Sequence, residues 1–287
     1  MKTRVITSVV GIVALVIALF FYDTIFFNIL IAGVCLIGIH EIYNAFQFGP
    51  KSSYLFWGFV PLTAIIMLSD YIRIQTWIRP VAYLFALYLA ICLIANSKNI
   101  NFAKIGGMTV FAGIVIYCFY SLIYLKTLLP KETYSYDAVY FVSLILGFAW
   151  GGDTCAYFAG RAFGKRKLAP VVSPNKTVEG AIGGLVGSIL IGEIFTVVYI
   201  FVTGRLFNLQ NIHFMYYIII GLLGALASVL GIIGDLFASA VKRQCGIKDY
   251  GTIFPGHGGI LDRFDSVMFI APLVVMVVKG VFYYFRG

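Results

Sequence analysis

Nine apolar stretches leave this chain one kind of place to fold. They run at about 5–21, 25–39, 54–69, 78–95, 105–125, 138–160, 180–203, 215–238 and 265–284, on the scale needed to cross a hydrocarbon layer roughly 30 Å thick. A soluble core with a polar shell is excluded by 61% hydrophobic residues, 11% charged residues and a mean hydropathy of +0.96. The expected fold class is therefore all-α: a polytopic integral membrane protein of about nine transmembrane helices. The first two spans are short and joined only by Tyr22-Asp23-Thr24, so they read as a tight helical hairpin or a partly interfacial pair.

Basic residues orient the spans, because cytoplasmic loops carry an excess of Lys and Arg. With the N-terminus inside, fourteen of the 21 basic residues fall on the cytoplasmic side and seven outside. This predicts an N-in, C-out topology with the active site at the cytoplasmic face. Lys2 and Arg4 ahead of the first span imitate a signal peptide, but no small-residue cleavage site follows and a second span begins at once, so the segment reads as retained. The five cysteines show neither a disulfide framework nor zinc spacing. The net charge of +9 is explained by basic loops lying against anionic lipid, and no nucleic-acid partner is expected.

Residues 1–144 carry few charges within spans and read as a transmembrane scaffold, His40-Glu41 at the end of the second span being the exception. Polar groups at membrane depth begin near Trp150, so 145–287 reads as the catalytic region. Asp153, in Gly151-Gly152-Asp153-Thr154, would lie roughly 10 Å from the cytoplasmic end of its helix, where a carboxylate is costly unless it has a partner or a function. A basic cluster, Lys165-Arg166-Lys167, precedes Ser173-Pro174-Asn175-Lys176-Thr177-Val178-Glu179-Gly180. Ser173 before Pro174 is the pattern of an N-cap with proline in the first helical position, predicting a helix start that presents N–H groups and Lys176 to an anion. Behind it the pairs Gly180/Gly184 and Gly183/Gly187 are suited to close helix packing, and to a homodimer contact.

Asp235 ends the eighth span, at the level expected for Asp153. The loop 239–265 then gathers Lys242, Arg243, Lys248, Asp249, His257, Asp262, Arg263 and Asp265 within a few turns. The i, i+3 spacing of Asp262 and Asp265 would put both carboxylates on one helix face. With Asp235 they read as oxygen ligands for Mg²⁺ that leave positions to water and phosphate; taken singly, either would serve equally well to charge the start of the last helix. The glycines around His257 would let backbone approach a ligand closely.

Residues 239–265 resemble the signature of the phosphatidate cytidylyltransferase family, also called CDP-diacylglycerol synthases: a serine (Ser239), Lys242-Arg243, Lys248-Asp249, Pro255-Gly-His257-Gly-Gly and Asp262-Arg263-Phe-Asp265. Asp153 to Gly160 and Ser173 to Gly180 look like two further family segments, so the resemblance covers the C-terminal half. It implies condensation of CTP with phosphatidic acid to CDP-diacylglycerol and pyrophosphate, with Mg²⁺ and room for a second metal ion, in phospholipid biosynthesis at a bacterial cytoplasmic (inner) membrane. It further implies metal ligation by Asp235, Asp262 and Asp265. Phosphate handling and catalysis would fall to Lys242, Arg243, Lys248, Asp249, His257 and Arg263, and substrate binding to Ser173, Lys176, Glu179, Ser239 and Asp153. Three other readings are an ether-lipid cytidylyltransferase, differing only in acyl-chain contacts; a CDP-alcohol phosphatidyltransferase, whose characteristic run of aspartates and glycines is not found here; and a transporter of an anionic metabolite built around Asp153 and Glu193. The absence of internal repeats and the gathering of charge at one face count against transport.

Overall fold

The computed structural model describes the backbone of residues 2–98, 101–204, 214–254, 256 and 258–286. Helices α1 (Lys2–Phe20), α2 (Ile25–Ala45), α3 (Ser53–Leu68), α4 (Ile78–Ala95) and α5 (Phe102–Leu128) lead into a single turn, α6 (Lys131–Tyr134). Then come α7 (Asp137–Leu146), α8 (Gly152–Phe163), α9 (Val178–Thr203), α10 (Phe214–Gln244), the one-turn α11 (Leu261–Phe264) and α12 (Val267–Arg286). Among the described residues seven helical stretches are long and apolar enough to cross a membrane, and the chain is an integral membrane protein. The first and last of the nine expected spans correspond to shorter apolar helices, Val9–Phe20 and Val267–Gly280, so a count of nine rests on two segments below full spanning length.

The fold is helical as expected, with one short exception. Lys167–Ala169 (β1) pairs antiparallel with Ser173–Thr177 (β2), with Lys167 opposite Thr177 and Ala169 opposite Ser173. Ser173 is thus not an N-cap. The helix starts at Val178, capped by Thr177, whose Oγ1 accepts the N–H of Gly180 at 3.1 Å. Proline suits the edge of a two-stranded sheet as well as a first helical turn, because in neither place is its missing N–H needed. Strand pairing decides between them.

Packing divides the chain into two compact units, Met1–Ile123 with Gln244–Arg263, and Tyr124–Arg243 with Phe264–Gly287. The boundary at 144 marks instead where polar groups begin along the chain. In the first unit Ile39, Ile42, Leu55, Phe59, Met108 and Phe111 are fully covered. Two long-range bonds tie its helices together where apolar contact alone is not directional: Tyr22 donates to Leu122 O at 2.8 Å and Asn28 to Met67 O at 2.7 Å.

In the second unit α8 lies along α9 so closely that its small residues are obligatory. A Cβ added at Gly180 would come within 2.9 Å of Ala156 O, one at Gly184 within 3.1 Å of Ala156 Cβ, and those at Gly183 and Gly187 would overlap Ala159 and Cys155. The glycine pairs that suggested a homodimer are therefore occupied within one chain. Ahead of α8, Gly147–Gly151 forms a π-helical turn, a local widening that redirects the helix just before Asp153.

Replacing Gly183 by Val should overpack α8 against α9 and lower the thermal midpoint of the detergent-solubilised protein, since overpacking costs about 1–3 kcal/mol. Gly113→Ala in α5, where an added Cβ meets nothing within 4 Å, should leave the midpoint unchanged; paired melting curves check both.

Candidate active site

Three aspartates gather in the second unit, each brought by a different element. Asp153 stands in the first turn of α8, Asp235 on α10, and Asp265 in the two-residue turn between α11 and α12. Asp153 Oδ2 accepts from Ser266 Oγ at 2.8 Å, and Asp265 Oδ1 accepts from Ser266 N, also at 2.8 Å. One serine thus links two carboxylates. On α10 the i, i+4, i+7 spacing sets Asp235, Ser239 and Lys242 on one face. Ser239 Oγ donates to Asp235 Oδ1 at 3.1 Å, while Lys176 Nζ, from β2, pairs with Asp235 Oδ2 at 2.5 Å. Gly234 lets α10 meet the Asp265 turn, because a Cβ there would run into Asp265 O.

Electrostatics follows from this crowding. Burial pushes the Asp265 carboxyl up to about 7, and the Asp235 and Asp153 charges push the same way. The Ser266 N–H and Lys242 oppose the rise without cancelling it. A carboxylate held above its ordinary range by burial first and by two neighbouring carboxylates second stands where positive charge is in short supply.

The donor set fits a hard divalent cation such as Mg²⁺, which prefers carboxylate oxygen and characteristically takes one or two carboxylates, with phosphate and water completing its shell. Among the described residues no group of three His, Cys, Asp or Glu side chains forms a ready-made cage.

The loop after α10, in the first unit, is held by two other acids. Asp262 Oδ2 accepts the N–H groups of Tyr250 at 2.8 Å and Gly259 at 3.0 Å. Its expected place among metal ligands meets a structural task that the i, i+3 spacing does not reveal. Glu41, from α2, accepts Ile260 N and Leu261 N, both at 2.9 Å. Gly251 and Gly259 face the Glu41 carboxyl and Gly258 faces that of Asp262, so these glycines make room for side chains of the protein itself. Gly256 and Gly258 also have φ of 79° and 82°, which favours glycine. Arg243, Lys248, Asp249 and Arg263 are exposed, and His257 lies outside the described residues.

The basic turn is likewise held by an acid. Glu179 accepts Lys165 N at 2.9 Å and Arg166 N at 3.2 Å, and Val178 N donates to Arg166 O at 2.9 Å. Glu179, expected to contact substrate, here shapes the turn that carries Lys165, Arg166 and Lys167. Ser173 sits opposite Ala169, at the far end of the strand pairing from Thr177. Glu41, noted in the sequence only as an acid in an otherwise apolar span and given no role there, is the residue whose place in the loop after α10 only the fold reveals.

The model of the Cytidylyltransferase family matches residues 2–281. A phosphatidate cytidylyltransferase of Bacillus subtilis is 38% identical over 192 residues, covering 67% of this chain and 65% of that protein. Proteins of the same name from Staphylococcus haemolyticus, 46% identical over 138 residues, and Thermotoga maritima, 39% over 136, each match over 48% of their own length. The chain thus spans about half to two thirds of the curated relatives it matches.

Glu179→Ala should free the Lys165 and Arg166 N–H groups and open the basic turn. The expected result is a several-fold rise in tryptic cleavage at 165–167 in otherwise folded protein, read by mass spectrometry of early fragments.

Proposed function

Because this chain belongs to the cytidylyltransferase family, we propose that it condenses CTP with phosphatidic acid, forming CDP-diacylglycerol and pyrophosphate. The observation that carries the reading is the convergence of Asp153, Asp235 and Asp265 with Lys176 and Lys242, a charge arrangement suited to a metal–phosphate complex and expensive for any other purpose. In this reaction a phosphate oxygen of the lipid attacks the α-phosphorus of CTP, the bond to the β-phosphate oxygen breaks, and pyrophosphate leaves with the electron pair. Positioning and charge neutralisation are what such a transfer demands of a protein.

Asp235 and Asp265 would hold Mg²⁺, with Asp153 aligned through Ser266 as a further ligand or a second-ion site. When bound, the ion supplies positive charge to the phosphate oxygens and the departing pyrophosphate. Ser239 orients Asp235. Lys176 and Lys242 balance the carboxylates and face the phosphates, with Arg243, at the end of the same helix as Lys242, a further cation for the triphosphate. In the first unit Lys248 and Arg263 are exposed cations suited to phosphate in their own right. The basic turn, with Ser173 nearby, meets the lipid headgroup at the interface. This arrangement requires the N-in orientation and a site open to the cytoplasm, since CTP is soluble while phosphatidic acid arrives from the bilayer; in a bacterium that places the protein in the cytoplasmic membrane.

Purified protein given phosphatidic acid, radiolabelled CTP and Mg²⁺ should form labelled lipid and pyrophosphate one for one, and EDTA should abolish both. Failure with phosphatidic acid but turnover with an ether-linked analogue would move the substrate assignment; failure with both would remove the transferase reading. Asp235→Asn and Asp265→Asn should each lower kcat/KM by about 100-fold or more and raise the Mg²⁺ requirement, a magnitude typical of losing a charge-stabilising group. Asp262→Asn should raise the KM for CTP more than the Mg²⁺ requirement, and full Mg²⁺-dependent activity in Asp265→Asn would exclude that residue from metal binding.

A further inference from the structure

We propose that Glu41 is a positioning residue for the phosphate-handling loop, acting from a helix remote in sequence to hold the backbone at Ile260 and Leu261 and, with it, the placement of Lys248 and Arg263. The inference rests on the transferase reading only for what the loop presents its cations to. Its geometry stands on the first compact unit alone.

Glu41 is 4% exposed, near the end of α2, and each of its carboxylate oxygens accepts one N–H of the consecutive pair Ile260 and Leu261. Two adjacent amides bound to one carboxylate fix the direction of the chain at that point more tightly than two separate bonds, because both peptide planes must point at one planar group. Leu261 is fully buried and its side chain packs against Gly38, one turn earlier on α2 than Glu41. The same short segment is therefore clamped by a polar and an apolar contact to one helix.

Asp262 performs the matching task from inside the loop, accepting Tyr250 N and Gly259 N and so joining those two points of the loop to one carboxylate. The Tyr250 side chain is buried, with its ring edge against Phe111 of α5. Glycines at 251, 258 and 259 are what the two carboxylates require, since an added Cβ at each would meet one of them. Lys248 stands two residues before Tyr250, and Arg263 directly follows Asp262, its N–H bonded to Ile260 O at 3.0 Å. Both exposed cations thus project from the ends of the clamped segment. Releasing the clamp would leave their charge intact and spread their positions.

The test compares wild type with Glu41→Gln and Glu41→Asp, and with Gly259→Ala, which attacks the same contact from the loop side. Glutamine keeps the size but accepts through one oxygen only; aspartate keeps both acceptors on a shorter stem. Two readouts are taken on detergent-purified full-length protein: initial rates over a CTP and phosphatidic acid grid, and tryptic cleavage at Lys248 and Arg263 measured without substrate. The expected result for Glu41→Gln and Gly259→Ala is about a tenfold higher KM for CTP, a KM for phosphatidic acid and a kcat within about twofold of wild type, and several-fold faster cleavage at Lys248. Glu41→Asp should fall between. Unchanged cleavage and unchanged KM for CTP would overturn the proposal, as would a fall in kcat with cleavage spread over every loop, which would make Glu41 a general fold residue. Wild-type protein that forms no lipid product while Glu41→Gln still exposes Lys248 would sink the transferase reading and leave the clamp standing.

Discussion

A carboxylate set among apolar helices costs several kcal/mol unless its oxygens meet donors or a cation, and the polar architecture of this chain is built on how a few acids meet that demand. Glu41 and Asp262 meet it with backbone N–H groups, and in doing so fix a loop that has little apolar surface of its own; Glu179, at the surface, fixes the basic turn in the same way without that burial cost. Asp235 meets it with Lys176 and Ser239. Asp153 and Asp265 share Ser266 and remain crowded. The acids thus separate into those that shape and those left facing one another, and the second group is where a cation lowers the energy most.

Close helix packing is what brings that second group together. α8 approaches α9 at glycine and alanine contact, and the π-helical turn ahead of α8 redirects the chain just before Asp153. Gly234 lets α10 approach the backbone of the Asp265 turn. Packing with little room to yield suits the in-line transfer proposed above, which needs its groups held more than it needs them reactive. The same packing explains why the glycine face of α9 is not free for another molecule.

The similarity to bacterial phosphatidate cytidylyltransferases and the geometry support each other at different levels. The relatives bear on the reaction. The geometry links Asp153 with Asp265 through a shared serine, gives Asp262 and Glu179 backbone N–H partners in their loops, and draws Glu41 from the apparently inert N-terminal half into the loop.

The membrane class and the approximate positions of the seven long apolar helices were legible in the residue order, because hydropathy is summed over local windows that tertiary contacts do not alter. Which acid does what was not legible. Glu41 meets Ile260 across 219 residues and Asp153 meets Ser266 across 113, separations at which a single chain carries no periodic signal. The hairpin escaped for a related reason: Ser173-Pro174 suits a helix start and a sheet edge equally, and only the pairing of β2 with Lys167–Ala169 and the Thr177 cap distinguish them. Local composition determined where the chain can be; the satisfaction of buried carboxylates, which depends on donors from distant segments, decided how its polar residues are used.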